Sequence, residues 1–421
     1  MSTHTKNKIL SSSNPKNPNS DNVPALRFPE FKGEWERKKL GEVAERIITK
    51  NKENITNVLT ISAQFGLISQ LEFFNKSVSA KDVSGYYLLN KNDFAYNKSY
   101  SNGYPMGAIK RLTRYENGVV STLYICFRFS DKIDSCFAEQ YFETGNQNIE
   151  IEKVAQEGAR NHGLLNIGLT DFFGINLNHP TLPEQKRIAS FFTVIDKKVA
   201  ELKQKKNLLE QYKKGVMQKL FSQETEERGS RTPLKNNKKS EQLRFKDENG
   251  KEFPKWQKKK LGEIAFKNSS NISANKIEDN FGDYIIYGAS GVLKKVDFYR
   301  EENDYISIIK DGAGVGRLFY CKGKSSVLGT MEIIKPKEKI NTHFLFSLLS
   351  NIDFVKYISG STIPHIYFKD YSLEVCGIPC LEEQIKIANF LSAIDEKINR
   401  TENQIQQTQE WKKGLLQKMF I

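Results

Sequence analysis

Residues 182–192 read LPEQKRIASFF, and residues 381–391 read LEEQIKIANFL. The segments they open also close alike, with KKGVMQKLF at 213–221 and KKGLLQKMF at 412–420. From Leu182 to Phe221, about 15 of 40 positions are identical to those 199 residues later. Asp171 and Pro180 match Asp370 and Pro379 at the same offset. A second echo lies further forward: Trp35 is followed by ERKKLGEVA and Trp256 by QKKKLGEIA, at an offset of 221. The offsets differ, so the stretch between the echoes is shorter in the second copy. The chain therefore reads as a tandem duplication of one unit, a globular region followed by a long helix.

The helical reading rests on spacing. Ile188, Ile195, Leu202, Leu209 and Val216 recur every seven residues, and Phe192 and Val199 widen the stripe. In the second copy Ile387, Ile394 and Leu415 keep that register, with Leu391, Ile398 and Ile405 beside them. Thr401 and Thr408 interrupt its middle. Thr181 and Glu184 have capping-box spacing, and Pro183 sits in the first turn, where its missing N–H costs nothing. Each helix would be roughly 40 residues and so about 60 Å long. One apolar stripe of that length needs a partner, and the nearest complementary surface is the other copy. The order region, helix, region, helix favours antiparallel pairing about a pseudo-twofold axis, over two unrelated surface helices. Gly215 and Gly414 fall at the same place in both helices. They predict a kink or a close backbone approach, by the helix partner or by another subunit, or are simply retained from the ancestral copy.

The 421 residues suffice for two or three domains, and 38% hydrophobic against 27% charged content is that of a soluble globular chain. No apolar run approaches the roughly 20 residues of a membrane span, and the start lacks an apolar leader, so a cytoplasmic location is expected. Residues 1–22 are too polar to fold, and SQETEERGSRTPLKNNKKS at 222–240 reads as a linker. The globular regions, 23–180 and 241–378, mix strand and helix signals and predict an α+β (mixed α/β) class. GVVSTLYICFRF (118–129) and DYISIIK (304–310) read as strands. NFGDYIIYGASG (280–291) reads as a strand ending in a glycine turn, and 341–359 has helical spacing.

Five cysteines without CxxC spacing and scattered histidines argue for reduced, structural thiols and no metal site. DGAGVGR (311–317) resembles a phosphate loop, but its glycines are wrongly spaced and no helical pattern follows. A tight hairpin-like loop presenting Arg317 is expected. Walker, N/D-P-P-Y/F, G-x-S-x-G and H-E-x-x-H patterns are missing, which favours a binding protein over an enzyme. A formal charge of +14, mostly lysine, suits a nucleic-acid binder, although lysines also serve solubility.

Candidate DNA contacts are loops that mix cations, amides and aromatics. The first region offers Asn97, Lys98, Ser99, Tyr100, Asn102, Tyr104, Lys110, Arg111 and Arg114, then Arg160, Asn161 and His162. The second offers Lys310, Arg317, Thr362, His365 and Lys369. Arg, Lys and Asn suit base edges, and Lys and Ser suit phosphates.

The duplicated helix opening and ending, with W…KKLGEVAERI ahead of the first region, resemble the specificity subunits of type I restriction–modification enzymes. The likeness runs from about Ala25 to the last residues. The second copy departs from it at Cys380 and Glu382, where the first has Thr181 and Pro183. The resemblance implies two target recognition domains (23–180 and 241–378), each reading half of a bipartite, asymmetric site in double-stranded DNA. It implies that helices 181–221 and 379–421 form an antiparallel coiled coil. This spacer would fix the gap and dock two methyltransferase subunits, with restriction subunits joining. It also implies a non-catalytic chain that binds no cofactor, with S-adenosylmethionine, ATP and Mg2+ on the partners. A methylation-only complex and a protein-interaction scaffold are the competing readings.

Overall fold

The strand Phe94–Asn97 shows how each globular region is built. Its residues alternate between two buried faces, as a strand's period of two requires. Phe94 and Tyr96 join one apolar cluster with Phe127, Phe129, Phe137 and Phe172. Ala95 joins another with Leu59, Ile61, Leu67, Leu89 and Val120. The strand lies inside a four-stranded antiparallel sheet, ordered Ala44–Arg46, Ile125–Phe129, Phe94–Asn97, Ala108–Arg111. The second region repeats that sheet as Ala265–Ser269, Met331–Pro336, Tyr305–Ile309, Leu318–Cys321. Ile306 and Ile308 face one core, Tyr305 and Ile309 the other.

The computed structural model describes residues 22–76, 78–157, 165–221 and 243–421. The expected polar tail and linker lie outside them, apart from Asn22. Two units emerge. The first holds residues up to Glu201 plus Gln404–Ile421, and the second holds Leu202–Asn403. The class is mixed α and β, as expected. Two 39-residue helices are present, Leu182–Leu220 and Leu381–Met419. In each unit a two-stranded ribbon leads into the long helix: Glu36–Lys39 pairs with Asn176–His179, and Gln257–Lys260 with Val375–Ile378.

The helices run antiparallel, and each unit shows it separately. In the first, Ile188, Ala189, Phe192 and Ile195 share a cluster with Leu416, Met419 and Phe420. Lys412 there reaches Asp196 at 2.6 Å. In the second, Ile387, Ala388, Leu391 and Ile394 share a cluster with Val216, Leu220 and Phe221. Lys213 reaches Asp395 at 2.6 Å, the same bond with the copies exchanged.

The stripe does more than meet its twin. Its early residues belong to the core of their own globular region, and the last turn of the other helix completes that core. Phe420 lies among the rings of Trp35, Phe137, Tyr141 and Phe192, at centroid distances of 6.0, 5.3, 6.3 and 6.0 Å. Phe221 lies against Trp256 and Phe344 at 6.3 and 5.9 Å. Even the helix ends are capped reciprocally. Leu26 N–H donates to Lys418 O at 2.8 Å, and Leu243 N–H to Lys219 O at 3.0 Å, which serves carbonyls a helix end leaves without intrahelical donors.

Of the expected pairing positions, Ile188, Phe192, Ile195, Leu202, Val216, Ile387, Leu391, Ile394 and Ile405 are buried. Leu209, Ile398 and Leu415 are half-buried. Leu416 is buried instead of Leu415, because the last turn faces the globular core. Thr401 is buried without breaking the helix, since its hydroxyl donates to Lys397 O at 2.8 Å.

Three expectations need correction. Residues 118–129 form two strands, Asn117–Val120 and Ile125–Phe129, in different sheets. A turn on Ser121 separates them, with Tyr124 N–H donating to Ser121 O at 3.2 Å. The helical run from 341 stops at Ser350, and a 3-10 turn, Phe354–Tyr357, follows. Gly215 and Gly414 make no close approach within the chain, because a Cβ at either would meet nothing within 4 Å.

Candidate nucleic-acid interface

The opening of each long helix is fixed by its two polar residues. Glu184 and Glu383 are buried in apolar surroundings, where a lone carboxylate would be costly. Each is met by an arginine fork from the start of its region. Arg27 reaches Glu184 at 2.8 and 2.7 Å, and Arg244 reaches Glu383 at 2.8 and 2.8 Å. Glu184 was expected to cap its own helix, but its carboxylate is taken by Arg27. The neighbouring glutamines tie the long helix to the N-cap of an earlier helix in the same unit, Ser135–Thr144 or Thr342–Ser350. Gln185 accepts from Asp134 N–H at 2.8 Å and donates to Pro180 O at 2.9 Å. Gln384 accepts from Asn341 N–H at 2.9 Å and donates to Pro379 O at 3.0 Å. These residues were missed as a set, although the repeated LRF at 26–28 and 243–245 carries the signal. The helix start survives Cys380 and Glu382, with Gln384 N–H donating to Cys380 O at 3.0 Å.

On this repeated frame, one end of each central sheet carries the dissimilar loops. In the first unit, loop 98–107 joins Phe94–Asn97 to Ala108–Arg111. Tyr96 stands opposite Ile125, so turn 121–124 opens at the same end. The ribbon Gln156–Glu157 with Leu165–Asn166 is tied there, Leu165 N–H donating to Lys98 O at 3.0 Å. In the second unit, loop 310–317 occupies the corresponding hairpin. Lys310 N–H donates to Thr330 O at 3.1 Å, and Ile366 N–H to Lys310 O at 2.9 Å. Gly312 N–H donates to Pro364 O at 2.8 Å, and Ser359 and His365 exchange bonds of 2.9 and 2.8 Å. Loop 98–107 with Leu165, and loop 310–317 with Ser359–Ile366, thus come together within their own units at equivalent ends of equivalent sheets, whereas Arg114, beyond Arg111 opposite Phe94, lies at the other end of its sheet.

Individual residues fare differently. Tyr100 is 63% exposed, and Asn102 and Arg114 are exposed. Asn97, Lys98 and Ser99 are half-buried, with Asn97 Oδ1 accepting from Ser99 N–H at 3.1 Å. Lys110 and Arg111 are not free cations. Lys110 is buried, its Nζ 2.5 Å from Glu143 and 2.8 Å from the Tyr104 hydroxyl. Arg111 forks onto Glu139 at 3.1 and 2.6 Å and also holds Asn92 at 2.9 Å. Both face the helix Ser135–Thr144, whose carboxylates claim them. Burial and the adjacent Glu143 push the Tyr104 hydroxyl well above its ordinary range, so it stays protonated. Arg160, Asn161 and His162 lie outside the described residues.

In the second unit Arg317, Thr362 and Lys369 are exposed. Lys310 is half-buried, 4.0 Å from Asp311. His365 Nδ1 lies 3.0 Å from Ile363 O, and its ring is 5.1 Å from Tyr367. Lys369 stands over that tyrosine ring at 5.3 Å. The glycine-rich stretch is the expected hairpin loop. Gly312, Gly314 and Gly316 adopt φ of 82°, 86° and 85°, values that favour glycine, and a strand follows at Leu318–Cys321. Among the described residues no group of three or more His, Cys, Asp or Glu could hold a metal ion. No described helix is long and apolar enough to cross a membrane.

The two copies are also matched separately by a family model. Residues 32–211 and 254–409 each fit the family model for the type I restriction modification DNA specificity domain. A type I restriction enzyme specificity subunit (MjaVIII) of Methanocaldococcus jannaschii is 26% identical over 301 residues, 63% of this chain and 66% of that one. A sequence provisionally assigned as a type I specificity subunit in Mycoplasma pneumoniae is 31% identical over 137 residues, 30% of this chain and 44% of that one. The curated relatives are matched over 36% to 66% of their own length. The crystal structure of a type I S subunit from M. genitalium superposes with a TM-score of 0.58 at 18% identity, covering 95% of this chain and 99% of that one.

Proposed function

The chain belongs to the type I restriction–modification DNA specificity family, and from that premise we propose that it reads a bipartite, asymmetric site in double-stranded DNA, one half per unit. One observation carries this reading. The frame is duplicated down to its buried ion pairs and glutamine ties, whereas the loops at the matching sheet ends are dissimilar. Natural duplication keeps what folding needs, and loops that diverge at matching sheet ends point to two different sequences being read there. Tyr100 and Asn102 in the first unit, and Arg317, Thr362 and Lys369 in the second, are the exposed members of that surface. Arg and Asn can distinguish base edges, and lysines neutralise phosphate.

In this reading the long helices set the gap between half-sites and dock two methyltransferase subunits, with restriction subunits completing a cleaving complex. S-adenosylmethionine, ATP and Mg2+ belong to those partners, and this chain performs no catalysis. A complex that only methylates uses the same reader.

The test is to assemble the chain with its methyltransferase and map methylated bases in DNA carrying every short bipartite sequence. One site with two defined halves is expected, and neutralising about six phosphates should lower affinity by about 10³ between 50 and 200 mM salt. Binding with neither sequence preference nor salt dependence would refute the proposal and favour a protein scaffold.

A further inference from the structure

Loop 98–107 is the longer of the two sheet-end hairpin loops, and three side chains fasten it. Its root is tight: Tyr96 donates from its hydroxyl to Met106 O at 2.9 Å. Gly107 has φ of 77°, and a Cβ there would lie 2.3 Å from Asn97 O. Further out, Ser101 and Tyr104 exchange backbone bonds of 3.3 and 2.8 Å, which closes the tip on Tyr104. Tyr104 is then fixed by its side chain. Its hydroxyl donates to Glu143 at 2.7 Å and accepts from Lys110 at 2.8 Å, and Lys110 closes the ring to Glu143 at 2.5 Å. The lysine Nζ also sits 4.3 Å from the centre of the Tyr104 ring.

Packing alone does not require this arrangement. An ammonium 9% exposed must be compensated by partners, and an apolar side chain there would avoid the cost. The second unit takes that simpler course. Strand pairing places Phe319 where the first unit has Lys110, and Ser350 on the helix after Asn341 where it has Glu143. Its shorter loop is tied by backbone instead, through Gly312 to Pro364 and Ile366 to Lys310. The charged ring therefore accompanies the longer loop, whose tip carries the exposed Tyr100 and Asn102.

We propose that Lys110, Tyr104 and Glu143 are positioning residues, which hold loop 98–107 in the one arrangement that reads the first unit's half-site. This rests on the bipartite DNA reading above. A loop that swings loses the geometry of base contacts while its phosphate contacts persist, so discrimination falls before affinity does.

The experiment uses the full chain assembled with its methyltransferase and a duplex library randomised in each half-site in turn. Tyr104→Phe deletes only the hydroxyl, and Lys110→Met and Glu143→Gln each remove a charge. Discrimination at one or more base pairs of a single half-site should fall about tenfold or more, with the other half-site within about twofold of the unaltered protein. Arg317→Ala, in the second unit, should relax the opposite half-site. The half-site read by the second unit is the internal control for folding. Should the charge variants lose binding altogether, Tyr104→Phe decides: one relaxed half-site upholds the proposal, and unchanged discrimination at both overturns it. Equal relaxation of both halves overturns it as well. If the unaltered complex shows no bipartite preference, the DNA reading itself fails and the positioning role falls with it.

Discussion

Replacing Phe420 by alanine should open the core of the first unit, although the residue directly follows the helix Leu381–Met419. The ring is 4% exposed and has four aromatic neighbours, Trp35, Phe137, Tyr141 and Phe192. Loss of a buried phenyl ring costs transfer energy and leaves a cavity, together about 3–5 kcal/mol. The stacked and edge contacts place this site near the upper end, since each such pair adds roughly 0.5–1.5 kcal/mol. A loss of about 4 kcal/mol raises the open population by about 10³. Hydrogen exchange followed by mass spectrometry would report it, with strands Phe94–Asn97 and Ile125–Phe129 accelerating by that factor at the slowest amides. Phe221→Ala should instead accelerate Tyr305–Ile309 and Met331–Pro336 in the second unit. Its effect should be smaller by about 1 kcal/mol, because Phe221 has two ring neighbours. If Phe420→Ala left the first unit unchanged while loosening the second, the crossed arrangement would be wrong. A cost under about 1 kcal/mol would mean that the last turn does not complete the core.

Other outcomes follow from the same frame. Glu383→Gln removes the charge that faces Arg244 and turns into an amide NH2 one of the two oxygens shared by Arg244 and Trp256 Nε1, which donates at 3.0 Å, and should lower the stability of the second unit by about 2–3 kcal/mol in a denaturant melt. Gly215→Ala and Gly414→Ala each have open space around the new methyl and should stabilise by about 0.5–1 kcal/mol. Burial pushes the Cys126 thiol up to about 12 and those of Cys321 and Cys376 up to about 11, so a disulfide reagent at pH 8 should reach them only on unfolding. Their contribution to stability is complete below the unfolded value of 9.0 and is lost as pH rises toward 11 or 12, so a melting curve should fall over that window. Inserting about four residues, one helical turn, at matching places in both long helices should lengthen the methylated gap and leave both half-sites unchanged.

The duplication, the helices and their direction were legible because repetition needs no knowledge of contacts. A seven-residue stripe that appears twice announces its own partner. The sharing of Phe221 and Phe420 was hidden because the ending KKG…F reads as any amphipathic last turn. Only the sheet and ribbon show which core those rings enter. Lys110 and Arg111 were misread for a related reason. A strand's alternation does not say that Glu139 and Glu143, on a helix some 30 positions later, claim both cations. The loops were chosen well as loops, since glycine, asparagine and tyrosine clusters mark them. The ordering inside them was decided by long-range bonds such as Leu165 to Lys98, which local composition does not record.

The crossed cores give the finished chain a symmetry that its synthesis does not have. Phe221 leaves the ribosome before the region it closes, so the second unit can assemble around it as it emerges. Phe420 comes 219 positions after Glu201, where the first stretch of the first unit ends. At roughly 5–20 residues per second, the aromatic socket of Trp35, Phe137 and Tyr141 waits about 10–40 s for its last ring. During that interval the nascent first unit presents apolar surface that the mature protein never shows. Chaperone demand should therefore fall on the half made first, however closely the two halves resemble each other once complete.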